Sequence, residues 1–554
     1  MEDINSPHIS HNFTPMQSDW FQTEIDYQGI GRAEFIAPKG YIEGPVSFHF
    51  DECGNANILM QVTRFEAEQH LDFGLLQLLS GSQVVRSKGG LLMGIGTSIS
   101  NHCTSLVVTT DSGNLYVLDE DLHYSNSEFN EETIKFYPTG VLFTSLGEQK
   151  AANWVIPLLN FLSDFRQVNP ELNQHPLRIF PTPIIPDELD GEDRLNAIWT
   201  ANSRNNLIVF GGTENTGFIE PLPDYEERKD KLLNGHAHCI MTAIMVGRLD
   251  ILPSNLNDLR RWPSYEYLRL LSLATGTEVG APWIEFRDDS GALIQRFHAR
   301  LDARRFARGH RTIEENLHLG TGRLLTNALS STEFGKSYLR VTLKHLTQSG
   351  YEHFSLEDKL THLFRALDCL CDEYHLYASL KPADYLPHDL AELINGTVEN
   401  AAAVIEELKK SFTVDDRRGK ALSKIANQLK YALNVKPGFG KAVLSLLEKF
   451  SLKDAEIINA YYKVAPRPDK RKWEEVLSYY RGITMHRSYF DFDRYNTDFL
   501  DVVRFVDHLH DILTRIVLIV LGYDGNYRPA VRHYLSDSPV NWVHADTSPG
   551  ELGY

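Results

Sequence analysis

The sequence predicts an α+β chain of several domains, with a β-rich N-terminal region followed by an all-α helical bundle at the C-terminus. Three observations carry this. At 554 residues the chain is too long for one hydrophobic core. Up to about residue 350 it is built largely from short β-branched and aromatic runs punctuated by Gly, Asn and Asp. After about Ser355 long stripes of 3.6-residue period replace those runs. The predicted organisation is a β-rich domain over 1–168, a proline-rich connector over 169–194, a second β-rich lobe with some helix over 195–350, and a helical domain over 351–554.

Between Phe21 and Phe143 the clearest element is Ser105 to Leu118, a hairpin turning at Asp-Ser-Gly. A helix is predicted around Trp154 to Phe165. Pro170, Pro176, Pro181, Pro183 and Pro186 then mark an extended connector. Strands resume at Ala197 to Gly211 and Gly217 to Glu220, and Tyr265 to Glu285 mixes apolar runs with Gly276 and Gly280.

In the C-terminal region Ser355-Leu-Glu-Asp358 has the form of a capping box and opens an amphipathic stripe from Leu356 to Tyr374. Further helices are predicted at Ala401 to Ser411, Asp415 to Leu433, Phe439 to Phe450, Asp454 to Tyr462 and Lys470 to Arg481. A last long helix starts near Asp498, capped by Asn496 or Thr497, and ends at Gly522.

Composition narrows the function classes. Hydrophobic content of 42% and charged content of 23% are those of an ordinary folded protein and exclude a disordered chain. The formal charge of −19 argues against non-specific coating of nucleic acid, which needs a basic surface. Only about −4 of it falls after Tyr351, so the acidity is concentrated in the N-terminal part. Five cysteines without CxxC spacing fit reduced thiols and a cytoplasmic location. Met1 to Trp20 lacks a secretory pattern, and the apolar run Ile516 to Leu521 is too short to cross a bilayer, so no membrane partner is expected.

The chemistry-bearing motif is Arg481-Gly-Ile-Thr-Met-His486, placed between the last two long helices. Histidine can take or give a proton near neutral pH. Arginine offers a cationic, planar fork of donors to phosphoryl oxygens. That pair suits RNA cleavage without a metal, in which the 2′-OH attacks the adjacent phosphorus and the 5′-oxygen leaves. A hydrogen bond at a helix end is the structural alternative for the same two residues. Positions i and i+5 lie about 140° apart on an ideal helix. Convergence therefore needs either a break at Gly482 or a second protomer.

This arrangement, Arg then His at the junction of the last two helices of an all-α domain, resembles the HEPN ribonuclease superfamily. The chain is most similar to its ApeA-like members, which join a large β-rich region to a C-terminal HEPN domain in bacterial defence against phage. Leu363-Phe-Arg-Ala-Leu-Asp-Cys-Leu370 and the closing Leu521-Gly-Tyr-Asp-Gly525 carry the resemblance beyond the motif. It implies a metal-independent endoribonuclease with no cofactor, leaving 2′,3′-cyclic phosphate and 5′-hydroxyl ends. It also implies a homodimer through the HEPN domain, or a higher oligomer, with the N-terminal region sensing a phage-derived trigger and restraining the nuclease. Asp368 matches an acidic position on the first HEPN helix and is a candidate to orient Arg481 or His486, with a solvent-facing helical aspartate as the alternative. Two departures, Gly482 where a polar residue is usual and Arg487 after the histidine, keep open a second reading: a catalytically silent HEPN dimerisation or sensing module.

Weaker candidates remain. Lys472 and Arg487, with Lys470 and Arg471, could guide an RNA backbone, or could simply be solvated helix-start charges. Arg296, Arg300, Arg304, Arg308 and Arg311 recur at near-helical spacing as a candidate anion-binding stripe, with a solvated surface as the alternative. His236-Ala-His238-Cys239 reads as a strand or loop pair, with no ligand cluster at metal spacing, so no metal is assigned. His508 and His510, two apart, are expected on an exposed helix surface.

Overall fold

A computed structural model describes residues 11–12, 24–36, 39–67, 103–117, 128–129, 133–136, 138, 140–146, 153–165, 182–183, 208–211, 217–222, 224–248, 264–288, 291–301, 305–313, 317–378, 386–412, 416–431, 437–452, 472–487, 498–523 and 527–530. The predicted helix Asp454 to Tyr462, the caps Asn496 and Thr497, most of the proline-rich connector, and Lys470 and Arg471 lie outside these residues. The fold is α+β: a large antiparallel sheet lies in the N-terminal half and helices fill the C-terminal half. Two compact units divide the chain, one formed mainly by Met1–Lys336 and the other mainly by Ser337–Ser349 and Phe354–Ile519.

In the first unit a 15-stranded sheet takes strands from both predicted β-rich regions. One half carries Ile25–Ile36, Lys39–Phe50, Cys103–Thr110 and Gly113–Val117; the other carries Asn153–Leu159, Gly217–Pro221, Met241–Arg248, Ala281–Arg287 and Leu293–Leu301. Separate N-terminal and second lobes are thereby corrected to a shared sheet. Gly140–Ser145 joins the halves by pairing with Leu293–Leu301 on one side and Gly113–Val117 on the other. The Asp-Ser-Gly hairpin forms as predicted, with Leu106 opposite Val117. Along Ile25–Ile36, buried Ile25, Tyr27 and Ala33 alternate with exposed Asp26, Gln28, Arg32 and Glu34, the period-2 pattern of a sheet with one buried face.

The predicted helix at Trp154 to Phe165 is instead the strand Asn153–Leu159, buried at every position. An unbroken apolar run does not reveal its period, and Pro157 disfavours a helix interior. One face of this strand is covered by helix α2 (Ser264–Thr275), whose Tyr267 stacks on Trp154 at 5.5 Å. It follows helix α1 (Tyr225–Leu233) in the chain. Helix α3 (Leu317–Ser330) closes this part of the sequence.

The arginine stripe is also corrected. Arg296 lies on strand Leu293–Leu301, directly opposite Glu285, and both are buried. Glu285 accepts from Arg287 at 2.7 Å, from Arg296 at 2.9 Å and from the Trp283 indole at 3.1 Å, while Arg296 also donates to the Tyr27 hydroxyl at 2.7 Å. Burial acts to raise the Glu285 pKa, and the two guanidiniums outweigh it, so its carboxyl is held below the usual range. Arg311 donates to the Ile313 carbonyl from a loop rather than a helix. Side chains of Arg300 and Arg304 lie outside the described residues.

His298, two residues along the same strand face, is buried against Phe50 with ring centroids 3.6 Å apart, and among the described residues neither ring nitrogen has a hydrogen-bond partner. Burial, and then the nearby Arg296 cation, push its pKa well below that of a free histidine. The unfolded chain therefore binds a proton below about pH 6.5 that the folded chain refuses, and stability is lost as pH falls through that range. Replacing His298 with Phe, which keeps the ring stack, removes the titration. Denaturation of the first unit between pH 7 and 5 is expected to lose up to about 1.4 kcal/mol per pH unit of its acid sensitivity in His298→Phe.

Candidate functional site

The second unit begins with helix α4 (Ser337–Gly350) and continues with α5 (Leu356–Glu373), α6 (His388–Lys409), α7 (Arg417–Tyr431), α8 (Phe439–Lys449), α9 (Trp473–Arg487) and α10 (Phe499–Val520). Ser355 caps α5 as its sequence predicts, accepting from the Asp358 N–H at 3.2 Å. The stripe Leu360, Leu363, Phe364, Leu367, Leu370 and Cys371 is buried, which fixes the rotation of α5 and turns Asp368 toward α9.

Helix α9 runs without interruption from Trp473 to Arg487, past its predicted end at Arg481, so of the two routes to convergence the break at Gly482 is not taken. Buried Trp473, Val476, Leu477, Tyr480, Ile483 and Thr484 keep the helical period on both sides of the glycine. The motif thus occupies the last turns of α9 instead of a junction after it. Lys472 stands at the head of the helix, exposed, with its backbone N–H donating to the Glu475 carboxylate at 3.1 Å. It lies nine residues, about 13 Å, from Arg481 along the axis. Side chains of His486 and Arg487 lie outside the described residues; their backbone is helical.

Three helices meet at Arg481. Its Nη2 donates to Asp368 Oδ2 of α5 at 2.8 Å, and its guanidinium lies over the Phe439 ring of α8, 4.5 Å from the centroid. About a third of the Arg481 side chain and a quarter of Asp368 are exposed, at 34% and 26%. The pair is therefore worth about 1 kcal/mol or less in stability, and its main effect is to aim the fork. Arg481 Nε is buried and has no hydrogen-bond partner among the described residues.

Close approach of α8 to α9 depends on Gly440. A Cβ there would stand 2.1 Å from the Glu474 carbonyl oxygen, and its N–H donates to Ser478 Oγ at 3.2 Å. Helix α10 completes the support: Tyr480 packs on Phe505 at 4.5 Å, and the Trp473 indole donates to His508 Nε2 at 3.1 Å. His508 and His510 are buried, which corrects their expected exposure. Burial lowers the His508 pKa to about 3, so it is a neutral acceptor for the indole. The Asp498 carboxylate caps α10 by accepting from Leu500 N–H, and Gly522, at φ +71°, lies just beyond its end as predicted.

Tyr377 is a site residue that the sequence did not single out. The chain reverses after α5 through a Schellman motif in which Leu376 N–H bonds to the Cys371 carbonyl and His375 N–H to that of Asp372, with His375 left-handed at φ +55°. That reversal returns Tyr377 to donate its hydroxyl to Asp368 Oδ1. Burial and then this hydrogen bond raise the phenol pKa, so Tyr377 is a donor and not a base. Burial likewise pushes the Cys371 thiol up to about 12, which excludes it as a nucleophile.

The other candidates do not join this site. His236 and His238 are exposed in the loop after α1, with Cys239 half-buried beside them. Among the described residues no group of three or more His, Cys, Asp or Glu could hold a metal. No described helix is long and apolar enough to cross a membrane. No family model, curated protein or solved structure matches the chain.

A Cβ at Gly482 would meet nothing within 4 Å, and the residue sits inside a continuous helix. Gly482→Ala is therefore expected to stabilise the second unit by about 0.5–1 kcal/mol, read as a raised denaturation midpoint. A lower midpoint would mean that α9 needs a break at this position.

Proposed function

We propose that this protein is a metal-independent HEPN-type endoribonuclease in which Arg481 and His486 act on the scissile phosphate. The observation that carries the reading is the anchored guanidinium: Asp368 holds one nitrogen of Arg481 and Phe439 supports its face, while a third of the side chain stays open to a ligand. A fork so aimed can bind the phosphoryl oxygens as charge builds on them. Asp368 and Tyr377 are positioning residues, because they reach the reaction only through Arg481.

His486 transfers the proton, either from the 2′-OH or to the leaving 5′-oxygen. On a continuous helix the two positions are about 140° apart and about 7.5 Å along the axis, so one α9 does not bring both to one phosphate. The active unit is therefore a homodimer in which the motifs of two copies share a cleft. By its resemblance to ApeA-like proteins, the N-terminal region senses a phage-derived trigger and restrains the nuclease in the bacterial cytoplasm. Lys472 and Arg487 contribute charge toward the RNA backbone from the two ends of α9.

A second reading is a silent HEPN dimerisation or sensing module. The Asp368 ion pair favours it, since that pair gives Arg481 a structural role without chemistry.

Incubation of RNA, in excess chelator, with protein isolated from phage-infected cells, where the trigger is present, distinguishes the two. Cleavage leaving 2′,3′-cyclic phosphate ends is expected, falling by about 100-fold or more in Arg481→Ala and in His486→Ala. Protection of infected cells should be lost in the same variants. Equal cleavage or equal protection by wild type and both variants would leave the silent module as the answer.

A further inference from the structure

Two sequence features that the site at Arg481 leaves unused, the His236-Ala-His238-Cys239 run and the end of the arginine series, meet at one cavity of the first unit. It measures about 600 Å³ and is walled by separate stretches of chain. The loop after α1 supplies His238, the segment after strand Leu293–Leu301 supplies Arg305, Phe306 and Arg308, and Gly350–His353, which belongs to the first unit, supplies Glu352 and His353. Backbone hydrogen bonds tie these stretches together. Phe306 N–H donates to the His238 carbonyl, Glu352 N–H to that of Arg308 at 2.9 Å, and Gly309 N–H to that of Gly276 at 2.7 Å. A Cβ at Gly309 would stand 2.7 Å from the Gly350 carbonyl oxygen, so this close approach requires glycine. The walls are set before a ligand arrives, which lowers the ordering cost of binding.

The chemistry of the walls defines the ligand. Elsewhere in this unit Arg228, Arg287, Arg296 and Arg311 sit on carboxylates. Arg305 and Arg308 are exposed on the cavity, and among the described residues neither makes an ion pair, although Glu352 shares the same walls. Two guanidiniums left open in a chain of net charge −19 form a place for an anion, and phosphate oxygens match their planar fork. The remaining wall is apolar, with Leu233 38% exposed and the Phe306 ring lying 5.8 Å from the Arg308 guanidinium. Glu352 brings a carboxylate that can accept from amino or hydroxyl groups. The volume far exceeds what a lone inorganic anion needs, since a water molecule takes ~30 Å³, and falls among small-molecule sites of roughly 300–1,000 Å³.

We propose that this cavity binds a mononucleotide, with its phosphate on Arg305 and Arg308 and its base against Phe306 and Leu233. The inference rests on the first unit alone and is read as binding, so it holds or fails independently of RNA cleavage through Arg481 and His486.

Calorimetric titration of the full-length protein with the 5′-monophosphates of adenosine, guanosine, cytidine and uridine tests it. At least one should bind with a Kd below about 1 mM, and about 10-fold or more tighter than its nucleoside or inorganic phosphate alone, because each fragment keeps only part of the contacts. Arg305→Gln with Arg308→Gln, both at exposed positions, should weaken that binding by about 30-fold or more while the denaturation midpoint stays unchanged. Arg305→Lys with Arg308→Lys keeps the charge and loses the fork, and should fall between the two. Arg481→Ala should bind the nucleotide as wild type does. Absence of binding by all four, equal binding by the glutamine variant, or loss of binding in Arg481→Ala would overturn the proposal. So would a single-stranded RNA that binds the Arg481→Ala chain more tightly than every mononucleotide and loses that affinity when Arg305→Gln and Arg308→Gln are added, since the arginines would then serve a nucleic-acid backbone.

Discussion

The candidate site depends on one contact, the ion pair between Asp368 of α5 and Arg481 of α9. Its contribution to stability is small, about 1 kcal/mol at such exposure. Its geometric effect is larger. Arginine has many rotamers, and only the combination of a carboxylate at one nitrogen and a ring beneath the plane confines this one. Each partner is in turn fixed by something else. Asp368 is held by the Tyr377 hydroxyl, Tyr377 by the left-handed turn at His375, and Phe439 by the close approach of α8 to α9 that Gly440 permits.

Much of this frame is legible in the sequence. The capping box at Ser355, the stripe of α5, the buried positions of α9 and the left-handed Gly522 beyond α10 all follow local rules that tertiary packing agrees with. Asp368 could be singled out only through the resemblance to an acidic position on the first HEPN helix; the apolar stripe of α5 then sets which way it faces. Tyr377 could not, because its position depends on a helix end closed by histidine where glycine is the usual signal. The start of α6 at His388 was missed for a related reason: Gly396, Thr397 and Val398 lower helix propensity in its middle, and packing on α7 overrides them.

Two misreadings share a physical cause. A repeat of four residues marks one face of a helix and equally one face of a strand, since four is a multiple of two. Arg296 and Arg300 satisfied both, and the strand was the outcome, placing Arg296 beside Glu285 in the interior. The continuous apolar run at Trp154 was ambiguous in the same way, and burial on both faces of the sheet explains why it lacks alternation. For His508, polarity suggested exposure, yet an indole donor at 3.1 Å gives a neutral imidazole a reason to be buried.

In the proposed nuclease, Arg481 and His486 from different copies complete one active site. Mixing the two inactive variants, Arg481→Ala and His486→Ala, and letting their subunits exchange tests this directly. Half the dimers then pair one variant with the other, and each such dimer regains one intact site of two, so about a quarter of wild-type RNA cleavage should return. A mixture as inactive as either variant alone, with exchange verified by mass, would contradict a shared site.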